Sequence, residues 1–284
     1  MTTRADARAE ATARLRLVAD PTASLDADLL LAHVCGITRE ALYAHMDEHM
    51  SPSEALALHD LVERRARGEP VAYLRGYKEF YGLRLAVDPR VLIPRPETEV
   101  LVEAVLEQVR ATGRTRVVDV GTGSGGIAIA VAVSDPRVRV IATDVSADAL
   151  AVARANAIAH GVARRIDLRQ GDLLTPVTEP VDVVAANLPY LRADAREHLT
   201  GERTSLLFEP AVAVVAGEDG LDLIRRCVAQ LRDKLAPEGV ALLECDPSQA
   251  SVVADLLRDT IHATTRVLPD LTGAPRVVEG KSGW

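Results

Sequence analysis

Asn187-Leu188-Pro189-Tyr190 offers a planar NH2 group two hydrogen-bond acceptors and a flat cover. An amide or exocyclic amine nitrogen delocalises its lone pair and is a poor nucleophile. Alkylating it requires that both N–H bonds be held and the lone pair aimed. The side-chain oxygen of Asn187 and the backbone carbonyl of Leu188 can hold those bonds. Pro189 biases Leu188 toward the extended conformation, which sets the direction of that carbonyl. Tyr190 can cover the flat face of the incoming group and keep water away, strengthening the hydrogen bonds. Taken alone, the tetrapeptide is also an ordinary turn, since Asn and Pro are turn residues.

The elements around the tetrapeptide bear on that choice. The apolar run Val181–Ala186 reads as a buried strand delivering Asn187 to its end. Upstream, Arg116–Val120 reads as another buried strand and runs into Gly121-Thr122-Gly123-Ser124-Gly125-Gly126, followed by a helical stretch from Ile127 to Ser134. Glycines let the backbone turn sharply and approach a ligand, and the helix N-terminus offers free N–H groups to a carboxylate or phosphate. Gly121, Thr122, Gly123, Ser124 and Gly125 are therefore candidate ligand-cradling residues. The same run fits G-x-G-x-x-G through Gly121, Gly123 and Gly126, so a nicotinamide or flavin dinucleotide site competes. A strand over 138–143 ends at Asp144, placed to accept from the two hydroxyls of a ribose. Asp144 can equally begin the turn into the helix opened by Ser146. Beyond that helix, closed by Gly161, the strand 166–169 leads to Gly171-Asp172-Leu173. Asp172 there either accepts from an adenine amino group or is a solvated loop carboxylate.

The periodicities give the organisation. Ala5 to Arg67 carries helical apolar faces between polar breaks, among them Ser51-Pro52-Ser53-Glu54, a capping box with proline at the first helical position. Residues 1–72 are thus expected to form a small helical domain, 73–91 a β-hairpin linker around Gly76 and Gly82, and 92–284 the catalytic domain. In the last, strands at 116–120, 138–143, 166–169, 181–186, 240–245, 262–267 and 275–279 alternate with helices through the fifth, and the final two form a hairpin. That pattern predicts an α/β fold with a doubly wound, mostly parallel seven-stranded sheet. Arg95, Pro96 and Glu97 open a helix, with Glu97 and Glu99 complementing its dipole. Arg64, Arg65 and Arg67 close one, where cations are favoured.

The 284 residues carry a net charge of −8, 48% hydrophobic residues and only 3% aromatics. Cores are affordable, but binding nucleic acid by stacking needs aromatics and basic patches, so a protein substrate is favoured. Cys35, Cys227 and Cys245 are odd in number and far apart, which fits free thiols in a reducing compartment. His45 and His49 are four apart without a further ligand pair, so no metal is expected. The N-terminus lacks an apolar segment and no run has the length of a membrane span, which points to the cytoplasm.

Several motifs together resemble one family. They are Gly68-Glu69-Pro70-Val71-Ala72-Tyr73, Glu79-Phe80-Tyr81, Leu92-Ile93-Pro94-Arg95-Pro96-Glu97-Thr98-Glu99, the glycine loop, the Asn187 tetrapeptide and Phe208-Glu209-Pro210. The chain is similar to class I S-adenosylmethionine-dependent methyltransferases acting on planar nitrogens, and within them to the release-factor glutamine N5-methyltransferases. Ile93 to Glu99 points to the glutamine enzymes rather than to adenine methyltransferases of DNA or ribosomal RNA. The resemblance implies a Rossmann-like class I fold, S-adenosyl-L-methionine bound by Gly121 to Gly125, its ribose on Asp144 and its adenine near Asp172 and Leu173. It implies Asn187, Leu188, Pro189 and Tyr190 as the catalytic tetrapeptide, with Asn187 also beside the cofactor. Arg95 to Glu97 would lie over the methionine end, and Glu209 on the substrate side, where it is also a plain turn former. The implied partner is a peptide chain release factor, recognised by the helical domain, with nucleic acid met only indirectly and the enzyme a monomer. The family usually has proline at the position of Leu188, and Asn-Leu-Pro-Tyr is similar to the version in adenine dimethylating enzymes of ribosomal RNA. Leucine keeps the carbonyl, so the glutamine reading stands. N6-adenine methylation of RNA or DNA is the alternative, and an NAD-dependent oxidoreductase the alternative of another class.

Overall fold

The structure, a computed structural model, describes residues 2–18, 21–194 and 205–284. Contacts divide the described residues into two units, one reaching Tyr77 and including 205–208, the other holding 78–194 and 209–284.

The first unit is helical: α1 (Arg4–Arg16), α2 (Ala23–Val34), α3 (Arg39–Ala44), α4 (Pro52–Ala66) and α5 (Val71–Arg75). Leu15, Leu30, Leu31 and Leu42 are fully buried at its centre. The capping box forms at α4, where Glu54 N donates to Ser51 Oγ at 3.2 Å and Ser51 N donates to Glu54 Oε2 at 2.7 Å. Two buried carboxylates tie the helices together: Arg65 donates to Asp26 at 2.7 Å, and Tyr43 donates to Asp28 at 2.6 Å. Arg64 grips Glu69 with two bonds of 2.8 and 2.6 Å. Arg64 and Arg65, at the C-terminus of α4, are therefore occupied by carboxylates within this unit.

Tyr73, expected in a hairpin, instead lies in α5, which stops at Gly76 with φ +75°. The hairpin is shorter: β1 (Tyr77–Phe80) pairs with β2 (Leu83–Ala86) across Gly82. Phe80 and Leu85 are buried in the same core as the central sheet.

That sheet belongs to the second unit. After α6 (Glu99–Thr112), preceded by a 3-10 turn over Pro96–Thr98, come β3 (Arg116–Val120), α7 (Gly126–Ser134), β4 (Arg139–Asp144), α8 (Ala147–Ala159), β5 (Ile166–Gln170) and β6 (Val181–Ala186). They are followed by α9 (Asp222–Leu231), β7 (Leu235–Glu244), α10 (Ala250–Ile261), β8 (Thr264–Pro269) and β9 (Pro275–Lys281). The seven strands stand in the order β5-β4-β3-β6-β7-β9-β8, with β3 to β7 parallel and β9 antiparallel between β7 and β8. Every residue of β6 is buried, as a strand covered on both faces requires. Alternate residues serve opposite faces: Val117 and Val183 join the core under α6 and α7, while Val118 and Val184 join the core under α9 and α10. β7 begins five residues before the expected Val240, because Leu235 already pairs with Val181 and the Pro237-Glu238-Gly239 interruption is absorbed as an irregularity in register. The expected strand at 262–267 lies at 264–269.

One topological fact positions the site. From β3 the chain steps to β4 and β5 on one side, then returns so that β6 lies on the other side of β3. Loops leaving the carboxyl ends of β3 and β6 diverge there and leave a crevice, the usual ligand position in a doubly wound sheet.

Candidate active site

Both sequence signals end at that crevice. Val120 pairs with Ala186, so the glycine loop after β3 and the tetrapeptide after β6 leave the sheet side by side. Gly121 N and Thr122 N both donate to the Thr143 carbonyl at 2.9 Å, pinning the loop to β4. Gly125 is the tightest position of the loop. Its φ is +84°, and a Cβ there would stand 2.9 Å from Ile129 Cδ1, so only glycine suits it. At Gly126 a Cβ would meet Phe80 and Leu85 at an ordinary 3.5 Å. The third glycine of the dinucleotide pattern, whose purpose is close helix packing, thus has no steric need to be glycine here. The left-handed positions are Gly121, Gly123 and Gly125.

Asp119, inside β3, holds this loop from behind. Its Oδ2 accepts from Thr122 Oγ1 at 2.7 Å and from Ala128 N in the first turn of α7 at 3.1 Å, while its buried Oδ1 has no partner. Burial pushes its carboxyl up to about 6. The Ser124 carbonyl accepts from Asn156 of α8 at 2.9 Å. Asp144, the last residue of β4, receives Gly123 N on Oδ2 and Ser146 N on Oδ1, each at 2.9 Å. Asp144 thus starts the turn into α8, and each of its oxygens keeps a second lone pair. Burial raises its pKa. Asp172 is half-exposed and bonded to Arg226 at 2.5 Å, and the adjoining Leu173 is buried with a left-handed φ of +51°.

At the acceptor end, Asn187 is half-buried and its Nδ2 donates to Thr98 Oγ1 at 2.9 Å, which turns Oδ1 away from Thr98. Leu188 is 3% exposed and packs in the core under α9 and α10, with its Cδ2 about the glycine loop: a Cβ on Gly121 would meet it at 3.1 Å. Leucine in place of proline is therefore explained by packing, its side chain serving the core. Tyr190 is fixed through its carbonyl, which accepts from Gln249 Nε2 at 3.3 Å and would lie 2.2 Å from a Cβ on Gly220. Burial pushes its phenol up to about 12, so it stays neutral.

The stretch Leu92–Glu99 reaches the acceptor end through Thr98. Glu209 braces it: its fully buried carboxylate receives Ile93 N at 2.9 Å and pairs with Arg95. Among the described residues this gives Glu209 a scaffolding contact within the loop. Sequence reasoning passed over Asp119, Thr98, Gln249 and Glu244. Glu244, at the end of β7, is 1% exposed and neither carboxylate oxygen is hydrogen-bonded. A lone acid inside the apolar strands Val117–Val120 and Val240–Cys245 was the available signal for two of them.

The residues suit S-adenosylmethionine. A left-handed glycine loop leads into a helix N-terminus, and Asp144 stands across it from β4 with lone pairs free for hydroxyls.

A family model described as PrmC N-terminal domain matches residues 6–76, and one described as methyltransferase small domain matches residues 96–238. The release factor glutamine methyltransferase of Deinococcus radiodurans is 40% identical over 276 residues, 97% of each chain. That of Moorella thermoacetica is 40% identical over 254 residues, 89% of each chain. Among solved structures, the hMettl16 catalytic domain in complex with a MAT2A 3'UTR hairpin is 16% identical with a TM-score of 0.59, covering 82% of this chain and 83% of that one. This last likeness concerns the fold alone. No helix of the described residues is long and apolar enough to cross a membrane. On the strength of identity running the length of both partners, the chain belongs to the release factor glutamine methyltransferase family.

Proposed function

We infer that this chain transfers a methyl group from S-adenosyl-L-methionine to the side-chain amide nitrogen, N5, of a glutamine in a peptide chain release factor. The observation that carries the reading is the pairing of β3 with β6, which sets the glycine loop beside an asparagine whose NH2 end is already engaged by Thr98. Family membership supplies the substrate class.

When bound, the cofactor supplies an activated methyl group on a cationic sulfur. The protein contributes alignment. Gly121 to Gly125 and Asp144 hold the donor, with Asp172 and Leu173 on its adenine side. Asn187 Oδ1 and the Leu188 carbonyl each accept one N–H of the amide and so aim its lone pair. Pro189 keeps Leu188 extended, and Tyr190 covers the flat face of the amide. As the amide nitrogen is alkylated it would become more positive, and both acceptors would bind it better, which is differential stabilisation of the transition state. The alkylated nitrogen would then release one proton to water, and no strong base is needed. The helical residues 1–72 recognise the release factor, 73–91 link, and 92–284 carry the chemistry. Nucleic acid is met only indirectly, consistent with a charge of −8. The enzyme acts as a cytoplasmic monomer.

Asn187→Ala should bind S-adenosylhomocysteine normally by calorimetry and lose on the order of 100-fold or more in single-turnover transfer to a purified release factor. Unchanged transfer would refute the assignment. Label appearing in ribosomal RNA instead of the release factor would select the adenine reading.

A further inference from the structure

The Asn187 amide has two ends, and only one can accept an N–H. Turned by half a rotation, it would present two N–H bonds to a nitrogen that carries two of its own. Its Nδ2 donates to Thr98 Oγ1 at 2.9 Å. A hydroxyl both donates and accepts, so Thr98 alone does not choose the end. The choice falls to whatever takes the Thr98 hydroxyl proton.

Glu244 stands at that place. Leu243 pairs with Ala186, so Glu244 follows it on β7 as Asn187 follows Ala186 on β6. The carboxylate is almost wholly buried, and neither oxygen has a formed hydrogen bond. The Thr98 hydroxyl is the side-chain donor that acts on it, favouring its ionised form, and a small readjustment of the two side chains would complete the bond. A buried carboxylate without a formed hydrogen bond costs stability. A side chain of the same shape without charge would serve the core better, so its presence calls for a task.

We propose that Glu244 is a positioning residue for the acceptor site: ionised, it accepts a hydrogen bond from the Thr98 hydroxyl, leaves the hydroxyl oxygen to accept from Asn187, and so keeps the Asn187 carbonyl facing the substrate amide. The proposal rests on Asn187 being the acceptor. Protonated, Glu244 can itself donate to Thr98, which is then free to donate to Asn187 Oδ1 and turn the amide the wrong way. Burial pushes Glu244 up to about 7, opposed by Thr98 and by Arg276 on β9, and reinforced by Glu97 ahead of α6. Tyr190 and Cys245 also lie within its electrostatic reach; burial holds both up to about 12, so both stay neutral. Methyl transfer should accordingly fall as pH drops through the Glu244 titration.

The test is single-turnover methyl transfer from radiolabelled S-adenosylmethionine to a purified release factor, between about pH 5.5 and 8.5. The parent is compared with Thr98→Val, Thr98→Ser, Glu244→Gln and Asn187→Ala, each with its melting temperature and its S-adenosylhomocysteine affinity by calorimetry. Thr98→Val should lose about fivefold or more in rate with product affinity unchanged, and Thr98→Ser should restore it. Glu244→Gln should give a lower, pH-flat rate and a melting temperature no lower than the parent's at pH 8. A smaller loss in a folded Thr98→Val, or an acid limb persisting in Glu244→Gln, overturns the proposal. Should Thr98→Val fail to fold, the pH profile of Glu244→Gln decides. Turnover in Asn187→Ala would sink the acceptor reading itself, whereas a dead Asn187→Ala beside an active Thr98→Val sinks only this inference.

Discussion

The two edges of the central sheet treat their charges in opposite ways. At the amino edge, Arg116 at the start of β3 pairs with Asp182 at the start of β6 at 3.0 Å. Burial would raise the Asp182 carboxyl, yet the bonds from Arg116 outweigh it and hold the group below its ordinary value. Toward the carboxyl edge, Asp119 keeps one bare oxygen, Thr143 a bare hydroxyl and Glu244 two bare oxygens, all buried. A fold under selection for stability alone would satisfy or replace such groups, since each buried unmet polar atom costs about 1–3 kcal/mol. The paired acid ties β3 to β6 at one edge, and the unmet groups gather toward the other, where the ligands are proposed to bind.

The contrast can be broken in graded steps. The largest effect is expected at the carboxyl edge: Asp144→Ala removes the acceptor for two ribose hydroxyls, and S-adenosylhomocysteine affinity by calorimetry should fall on the order of 100-fold. Affinity within a few-fold of the parent would remove Asp144 from the donor site.

A middle-sized effect is pH-dependent stability. Burial raises Asp119 from 3.8 to about 6 and Glu244 from 4.5 to about 7, so the folded chain holds protons that the unfolded chain has released. Their contribution is therefore fully present below about pH 4 and is lost as pH rises through the folded values, the reverse of an ion-paired acid. Between about pH 4 and 7 the melting temperatures of Asp119→Asn and Glu244→Gln should rise relative to the parent. Parallel curves for parent and variants would mean these acids are neutralised in another way. Asp270, held down to about 2 with Thr272 and Arg276 as partners, loses its contribution only in stronger acid.

The smallest effect belongs to the amino edge. The Arg116 side chain is 53% exposed, and Arg116→Ala should cost about 1 kcal/mol by chemical denaturation while leaving methyl transfer intact. A large loss of turnover there would erase the distinction between the edges.

Much of this was legible in the chain. β6 ends where its apolar run ends, because six buried residues between a proline and an asparagine leave little room for another register. The glycine loop, Asp144 and the capping box at Ser51 were readable for the same kind of reason: each is a local backbone requirement written in residue type. Gly126 was not separable from Gly125, since strain at one and slack at the other depend on Ile129 and Ala153 packing against the turn. The expected strand starts at Val240, past Pro237-Glu238-Gly239, whereas β7 pairs with β6 from Leu235 and absorbs that interruption. Tyr73 was drawn into the hairpin by its aromatic character, while the left-handed stop at Gly76 keeps it helical.

What the sequence determined by itself was the alternation of buried strands and amphipathic helices, the glycine turn and the acceptor tetrapeptide, because these rest on periodicity and dihedral freedom along a few neighbouring residues. Only tertiary structure decided that Thr98 meets Asn187, that Gln249 holds Tyr190 and that Glu244 stands bare beside them. Thr98 and Asn187 are 89 residues apart. Their meeting depends on the return of the chain across β3, and no local pattern of residues specifies which distant side chain will be there when it arrives.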